Sequence, residues 1–206
     1  MAHSSHRSAI GGMWEEIGRL QFDFMVTRGL EPHHYLLDIG CGSLRGGIHF
    51  IRYLDAGHYV GLDKNSRLLK AGQEIELRRE GLLDKRSVFI LSDHFDVRPL
   101  PKKLRFDFML AHSVFTHLVP DQVEECLVKV MPRLKPGGSL YATFWESKYP
   151  VITHGGPHPN REGERRFVRY PRPELKRIAA LAGCGVEFIG DWGHPRGQLM
   201  MRLMAG

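Results

Sequence analysis

The chain lacks several features that would have decided its class at once. It has no apolar run of the roughly 18 residues that a membrane-spanning helix needs. Its first dozen residues carry no apolar core of the kind a secretion signal has, and they are expected to form a mobile tail. Cysteine is scarce: Cys41, Cys126 and Cys184 are an odd, widely spaced set, which excludes a disulfide framework and a Cys-x-x-Cys metal site. A reducing, cytoplasmic setting is the expectation, with no membrane partner. Repeats and low-complexity tracts are also missing. Positive charge is present in excess, 29 Lys and Arg against 23 Asp and Glu, a formal net of +6. Its densest stretches are Arg78-Arg79, Lys102-Lys103-Leu104-Arg105 and the run from Arg161 to Arg177. None alternates with aromatic residues as a nucleic-acid stacking platform does. The field suits an anionic small molecule better than a nucleic acid.

What is present is one domain's worth of chain, 206 residues, in which short β-rich runs alternate with helical periodicity. That alternation is the pattern of an α/β fold with a parallel sheet. Strands are expected at 35–39, 58–63, 87–92, 106–113 and 139–145, and a last pair at 186–191 and 198–204. The link at 192–197 is too short for a crossover helix, so the last pair should be antiparallel. Val123, Leu127, Val130, Met131 and Leu134 recur at helical spacing and predict a helix over 121–134. Helices are also expected over 65–79, with Asn65 or Ser66 as the cap, and over 173–182, closed by Gly183. Residues 14–28 read as an amphipathic N-terminal helix. The segment 146–172, rich in Gly, Pro, His and Arg, is long enough to be a functional cover.

The chemistry concentrates at the carboxyl ends of the strands. The first strand ends in Asp38-Ile39-Gly40-Cys41-Gly42, followed by a helix. Glycines at a strand-to-helix turn allow close approach of a ligand, and the helix start offers free N–H groups. A nicotinamide fingerprint would need glycine at position 45, where Arg45 stands, so that dinucleotide reading fails. Asp63 ends the second strand about twenty residues on, where a carboxylate can accept both hydroxyls of a ribose. Ser92-Asp93, the strand from Phe106 to Ser113, and Leu134-Lys135-Pro136-Gly137-Gly138 complete the series.

From Tyr35 to Trp145 this order of motifs resembles the class I S-adenosylmethionine-dependent methyltransferases, and more weakly so to the C-terminus. The resemblance rests chiefly on Leu36-Leu37-Asp38-Ile39-Gly40-Cys41-Gly42, on Ser113-Val114-Phe115-Thr116-His117-Leu118 and on Leu134-Lys135-Pro136-Gly137-Gly138. It implies a Rossmann-like, seven-stranded, mostly parallel sheet with an antiparallel last strand and helices on both faces. It implies S-adenosyl-L-methionine as cofactor. Asp38 would orient the donor's amino group, and Gly40, Cys41 and Gly42 would line its methionine and ribose. Asp63, with Lys64 after it, would hold the ribose. Asp93, His94 and Phe95 would meet the adenine, and Ala111 the methionine end. Gly46-Gly47 departs from the simplest pattern and is read as widening the turn.

On the acceptor side, His112 and His117 are the first candidates for a base, and His154 and His158 the second. Ser113 and Thr116 stand where metal-dependent relatives carry acids, so no metal is expected. Trp14, Phe22, Phe24, Phe115, Trp145 and Tyr149 either line an acceptor pocket or pack a cover, and Arg161, Arg165, Arg166 and Arg169 are candidates for an anion clamp. Ala111-His112-Ser113-Val114 replaces the Asn-Pro-Pro-Tyr type of motif, which favours a small-molecule acceptor through oxygen. The alternatives are an RNA or protein methyltransferase and a non-catalytic protein that binds an S-adenosyl ligand. The division expected is a tail and cover helix at 1–30 and a methyltransferase domain at 31–206, with a lid-like insertion at 146–172.

Overall fold

The structure is a computed structural model that describes residues 3–155 and 167–206. Its centre is a twisted sheet in the order β3 (Val88–Leu91), β2 (Tyr59–Asp63), β1 (Leu36–Ile39), β4 (Phe106–Ala111), β5 (Leu134–Glu146), all parallel. β9 (Leu199–Ala205) then joins β5 antiparallel, and β8 (Cys184–Gly190) pairs antiparallel with β9. The apolar character of β1 and β2 follows from their place: every residue in both is buried, because helices cover both faces. Alternation along β1 divides the core. Leu37 and Ile39 face one layer with Val123, Leu127 and Val130 of α6 (Pro120–Val130) and Leu175 and Ile178 of α7 (Arg172–Leu181). Leu36 faces the other, with Phe24 and Met25 of α2 (Trp14–Thr27), Ile48 and Ile51 of α3 (Gly47–Tyr53), and Leu69 of α4 (Ser66–Ala71).

All seven expected strands are present within two or three residues at most ends, except that β5 starts five residues early. Two further strands were not expected. β6 (Thr153–Gly155) and β7 (Phe167–Tyr170) form a hairpin within the segment read as a cover, and β7 pairs with the last two residues of β5 through Trp145↔Arg169 and Glu146↔Tyr170. β5 serves both neighbours because its stretch up to Phe144 is taken by β9 and its end is free for β7. Residues 156–166 of that segment, which include His158, Arg161, Arg165 and Arg166, lie outside the described residues.

α4 runs through a π-turn (Gly72–Glu76) into a last helical turn, α5 (Leu77–Arg79). The N-terminus also corrects the expectation of a loose tail. α1 (His3–Ala9) precedes α2, and Arg7 donates two hydrogen bonds, of 2.9 and 2.7 Å, to the fully buried carboxylate of Glu76. That charge-assisted fork fixes the segment against the helix that follows β2. No helix among the described residues is long and apolar enough to cross a membrane.

Asn65 is the cap of α4: its side chain accepts from the backbone N–H of Arg67 at 3.0 Å and Leu68 at 3.2 Å. Asn65→Ala is expected to cost about 1 kcal/mol. For a domain of this size that is a fall of roughly 2–4 °C in Tm, readable by calorimetry.

Candidate functional site

β1 ends in a turn that only a glycine-rich segment makes easily. Gly40 and Gly42 have φ of 72° and 56°, and a Cβ on Gly40 would lie 2.5 Å from Val114 Cγ2. The turn is held from β2. Gly40 N–H donates to the Leu62 carbonyl at 2.7 Å, and Gly42 N–H donates to Asp63 Oδ2 at 2.8 Å. The other oxygen of Asp63 accepts from Asn65 N–H, also at 2.8 Å. A carboxylate has about four lone-pair sites, so acceptor capacity remains for a ligand beyond the backbone N–H groups of Gly42, Asn65 and Lys64. Burial raises the Asp63 pKa, while the N–H groups of Asn65 and Gly42 oppose the rise. The sequence expectation that Asp63 sits at the same edge as the glycine turn is met by direct contact.

Asp38 lies under the turn, nearly sealed from solvent, and accepts a 2.7 Å hydrogen bond from the Tyr59 hydroxyl on β2. Burial pushes its pKa up to about 7; the Tyr59 hydrogen bond and Arg45 pull it down, and Asp63 adds to the rise. Cys41 is a buried thiol whose Sγ fills the space beside Gly61. Gly46 and Gly47 do not widen the turn. They admit α2 and β2: a Cβ on Gly46 would meet Gln21 Oε1 at 2.7 Å, and one on Gly47 the Tyr59 hydroxyl at 2.6 Å.

The remaining expected donor residues are dispersed along the same edge. Lys64 is exposed after β2. Asp93 and His94 are exposed after β3 and line a groove of about 420 Å³ with Ser92, Asp96 and Lys129. Phe95 instead points inward, 9% exposed, at a φ of 54°. Ala111 is fully buried at the end of β4.

The histidines separate. His112 is 7% exposed and faces Trp192 and His194, with ring centroids 5.8 and 5.2 Å away. His117 is the exposed last residue of a 3-10 turn (Phe115–His117) whose other two residues are buried, and its ring lies 5.1 Å from that of Phe167 on β7, a different surrounding. His154 is exposed on β6. Most of the aromatic residues weighed as a pocket are packing. Phe115 is fully buried, Phe22 meets Phe50 and Tyr53, Phe24 meets Tyr141 and Trp192, and Tyr149 projects into solvent. Arg169, the described member of the clamp set, lies over the Trp145 ring at 5.5 Å.

Sequence reasoning treated 192–197 only as a turn. Because β9 runs antiparallel beside β5, that link returns to the carboxyl edge next to His112. Gln198 accepts from the Thr143 hydroxyl at 2.6 Å and shares hydrogen bonds with Ser113, whose N–H donates to Thr143 at 2.7 Å. Arg45, noticed only for spoiling a fingerprint, is 7% exposed and donates to the Gly12 carbonyl at 2.8 Å and that of Ile10 at 3.3 Å. Ile10 thereby lies over Gly42, its Cγ2 3.1 Å from where a Cβ would stand. A basic histidine-containing link between antiparallel strands, returning to the ligand edge, was the signal available.

A family model described as a methyltransferase domain matches residues 37–140, the span from β1 into β5. The chain belongs to the methyltransferase domain family. It is 29% identical over 178 residues to a probable fatty acid methyltransferase of Pseudomonas putida, covering 82% of this chain and 42% of that protein. It is 27% identical over 192 residues to cycloartenol-C-24-methyltransferase of Arabidopsis thaliana, covering 92% and 55%. The chain thus spans about half the length of these curated relatives. Its fold is shared with a glycopeptide N-methyltransferase solved with S-adenosyl-L-methionine, at a TM-score of 0.70, 14% identity, and 92% and 94% coverage. It is shared as well with an S-adenosylmethionine-dependent methyltransferase from Clostridium acetobutylicum ATCC 824, at 0.66, 12% identity, and 100% and 98% coverage.

In this methyltransferase domain the acid under the turn has a measurable consequence. The folded protein holds the Asp38 proton more tightly than the unfolded chain does, whose group titrates near 3.8. The ligand-free protein therefore loses stability as pH climbs from about 4 to about 7, and this loss is complete above 7. Asn at 38 keeps an acceptor for Tyr59 without the charge. Asp38→Asn is expected to gain stability relative to the parent chain at pH 8 and much less at pH 4, in denaturant titrations at the two pH values. A difference independent of pH would contradict the assignment.

Proposed function

We propose that this protein transfers the methyl group of S-adenosyl-L-methionine to a small-molecule acceptor, at a hydroxyl oxygen. The observation that carries the reading is the clamped carboxylate of Asp63, buried at the glycine turn with lone pairs to spare. A ribose diol fits that acceptor, and the positive φ at Gly40 and Gly42 leaves the turn without side chains toward the ligand. Asp38 is the acid available to the donor's amino group. We assign the adenine to the groove beside Asp93 and His94, and the methionine end to the side of Ala111 at the end of β4. The relatives named for a fatty acid and a sterol, and the solved glycopeptide enzyme, support an acceptor of small-molecule kind.

When bound, the donor supplies an activated sulfonium carbon for in-line displacement. What the chain has to add is alignment and exclusion of water, which together are worth up to roughly 7–11 kcal/mol. The N-terminal segment over Gly42 and the 192–198 link beside His112 serve that exclusion. Burial first, then Arg45, His194 and Arg196, hold the His112 pKa well below the ordinary imidazole value. His112 is thus a neutral group that accepts or donates one hydrogen bond to the acceptor, and a weak base. His117, exposed beside β7, is the second acceptor-side group.

Three outcomes are expected. Incubation with methyl-labelled donor and a fractionated extract should place label in the small-molecule fraction; label confined to RNA or protein would overturn the acceptor class. Asp63→Ala should weaken binding of S-adenosylhomocysteine by about 1–3 kcal/mol, because buried N–H groups lose their partner, and calorimetry would read it. His112→Ala should lower kcat by roughly 10²-fold with that affinity retained; unchanged turnover would remove His112 from the site.

A further inference from the structure

Across the edge from Asp63, the structure gathers buried side-chain nitrogens with no partner among the described residues. The backbone N–H of Arg196 donates to Nδ1 of His194 at 3.1 Å. That bond leaves the proton of the neutral ring on Nε2. His194 is 5% exposed, and its Nε2 has no hydrogen-bond partner among the described residues. Nε2 of His112, 7% exposed, and Nε of Arg45, also 7% exposed, are in the same condition. Groups this deeply buried ordinarily find partners, so three orphans in one place point to a ligand. The indole of Trp192 closes one side, 5.8 Å from His112 and 5.5 Å from His194 between ring centroids. Arg196 stands at the rim, its carbonyl held by the Trp145 indole N–H at 3.2 Å.

The charge balance gives the ligand's sign. Burial first, then Arg45 and Arg196, disfavours the charged forms of His112 and His194, and burial followed by Arg196 brings the Arg45 pKa down to about 10. The acid that reaches this group, Asp38, is already engaged by Tyr59. A pocket of N–H donors and under-compensated guanidinium groups is complementary to an oxyanion.

We infer that Arg45, His112, Trp192, His194 and Arg196 form a carboxylate-binding subsite that selects an acid-bearing acceptor. This rests on the methyl-transfer reading above. The donor's own amino-acid carboxylate has the same chemistry, and the experiment separates the two sources. The probes are hexanoate and its neutral counterpart hexanamide, added to the full chain saturated with S-adenosylhomocysteine, with the imidazole nitrogen resonances of His112 and His194 followed by NMR. Hexanoate is expected to shift both, and hexanamide neither. His194→Asn keeps an acceptor for the Arg196 N–H but removes the Nε2 donor, and should weaken hexanoate binding about tenfold while S-adenosylhomocysteine binds as before. Equal shifts from hexanamide, or none from hexanoate, would overturn the subsite. If S-adenosylhomocysteine alone moves both resonances, methylthioadenosine does not, and hexanoate adds nothing, the cluster reads the donor and the acceptor assignment fails. Failure of S-adenosylhomocysteine to bind at all, seen by calorimetry on the same sample, would strike the methyl-transfer reading instead.

Discussion

One carboxylate ties the site together. Asp63 takes the N–H of Gly42 on one oxygen and that of Asn65 on the other, so the end of β2 grips both the turn after β1 and the start of α4. At Gly40 and Gly42 the backbone is strained for any side-chain-bearing residue, and this grip gives the turn a defined shape. The parallel register of β1 and β2, Asp38↔Gly61 and Ile39↔Leu62, places the acid where it can reach. Asn65, by also capping α4, passes the same constraint into the helix that packs on the sheet. Loss of the Asp63 carboxylate would leave two partly buried N–H groups unpaired at the place where a ligand has to dock.

The rest of the edge sets acids against guanidinium groups and neutral imidazoles. Asp38 and Asp63 occupy the β1–β2 side; Arg45, His112, His194 and Arg196 occupy the side made by β4 and the β8–β9 link. The two halves meet through Arg45, which leaves the glycine turn to hold the carbonyls of Ile10 and Gly12. Arg7 fixes the same N-terminal segment on buried Glu76. Arg196 donates to the Gly11 carbonyl as well, so three arginines hold the roof over the turn.

How much of this was legible in the sequence depended on the range of the interactions involved. β1, β2 and β4 announce themselves because strands buried on both faces need unbroken apolar runs, and Asp63 stands out as the acid ending such a run. Asn65 and the stripe of α6 are equally local signals. His194 and Arg196 were not legible as site residues, because their position depends on β9 lying antiparallel against β5, a pairing between residues some sixty apart. β7 was hidden for the same reason, since it depends on pairing with β6 and with the free end of β5. The N-terminal residues looked like a polar tail because their order comes from Glu76, Arg45 and Arg196, all distant in sequence. Gly46 and Gly47 were misread since a glycine needed for close packing looks, in sequence, like one needed for a turn.

The central claim is that the Asp63-clamped turn is an S-adenosyl site and not a dinucleotide site. Calorimetric titration of the full chain with S-adenosylhomocysteine and, separately, with NAD tests it directly. The account predicts micromolar binding of the first and none of the second. Binding of NAD in place of S-adenosylhomocysteine, or of neither, would contradict it and leave the turn as architecture alone.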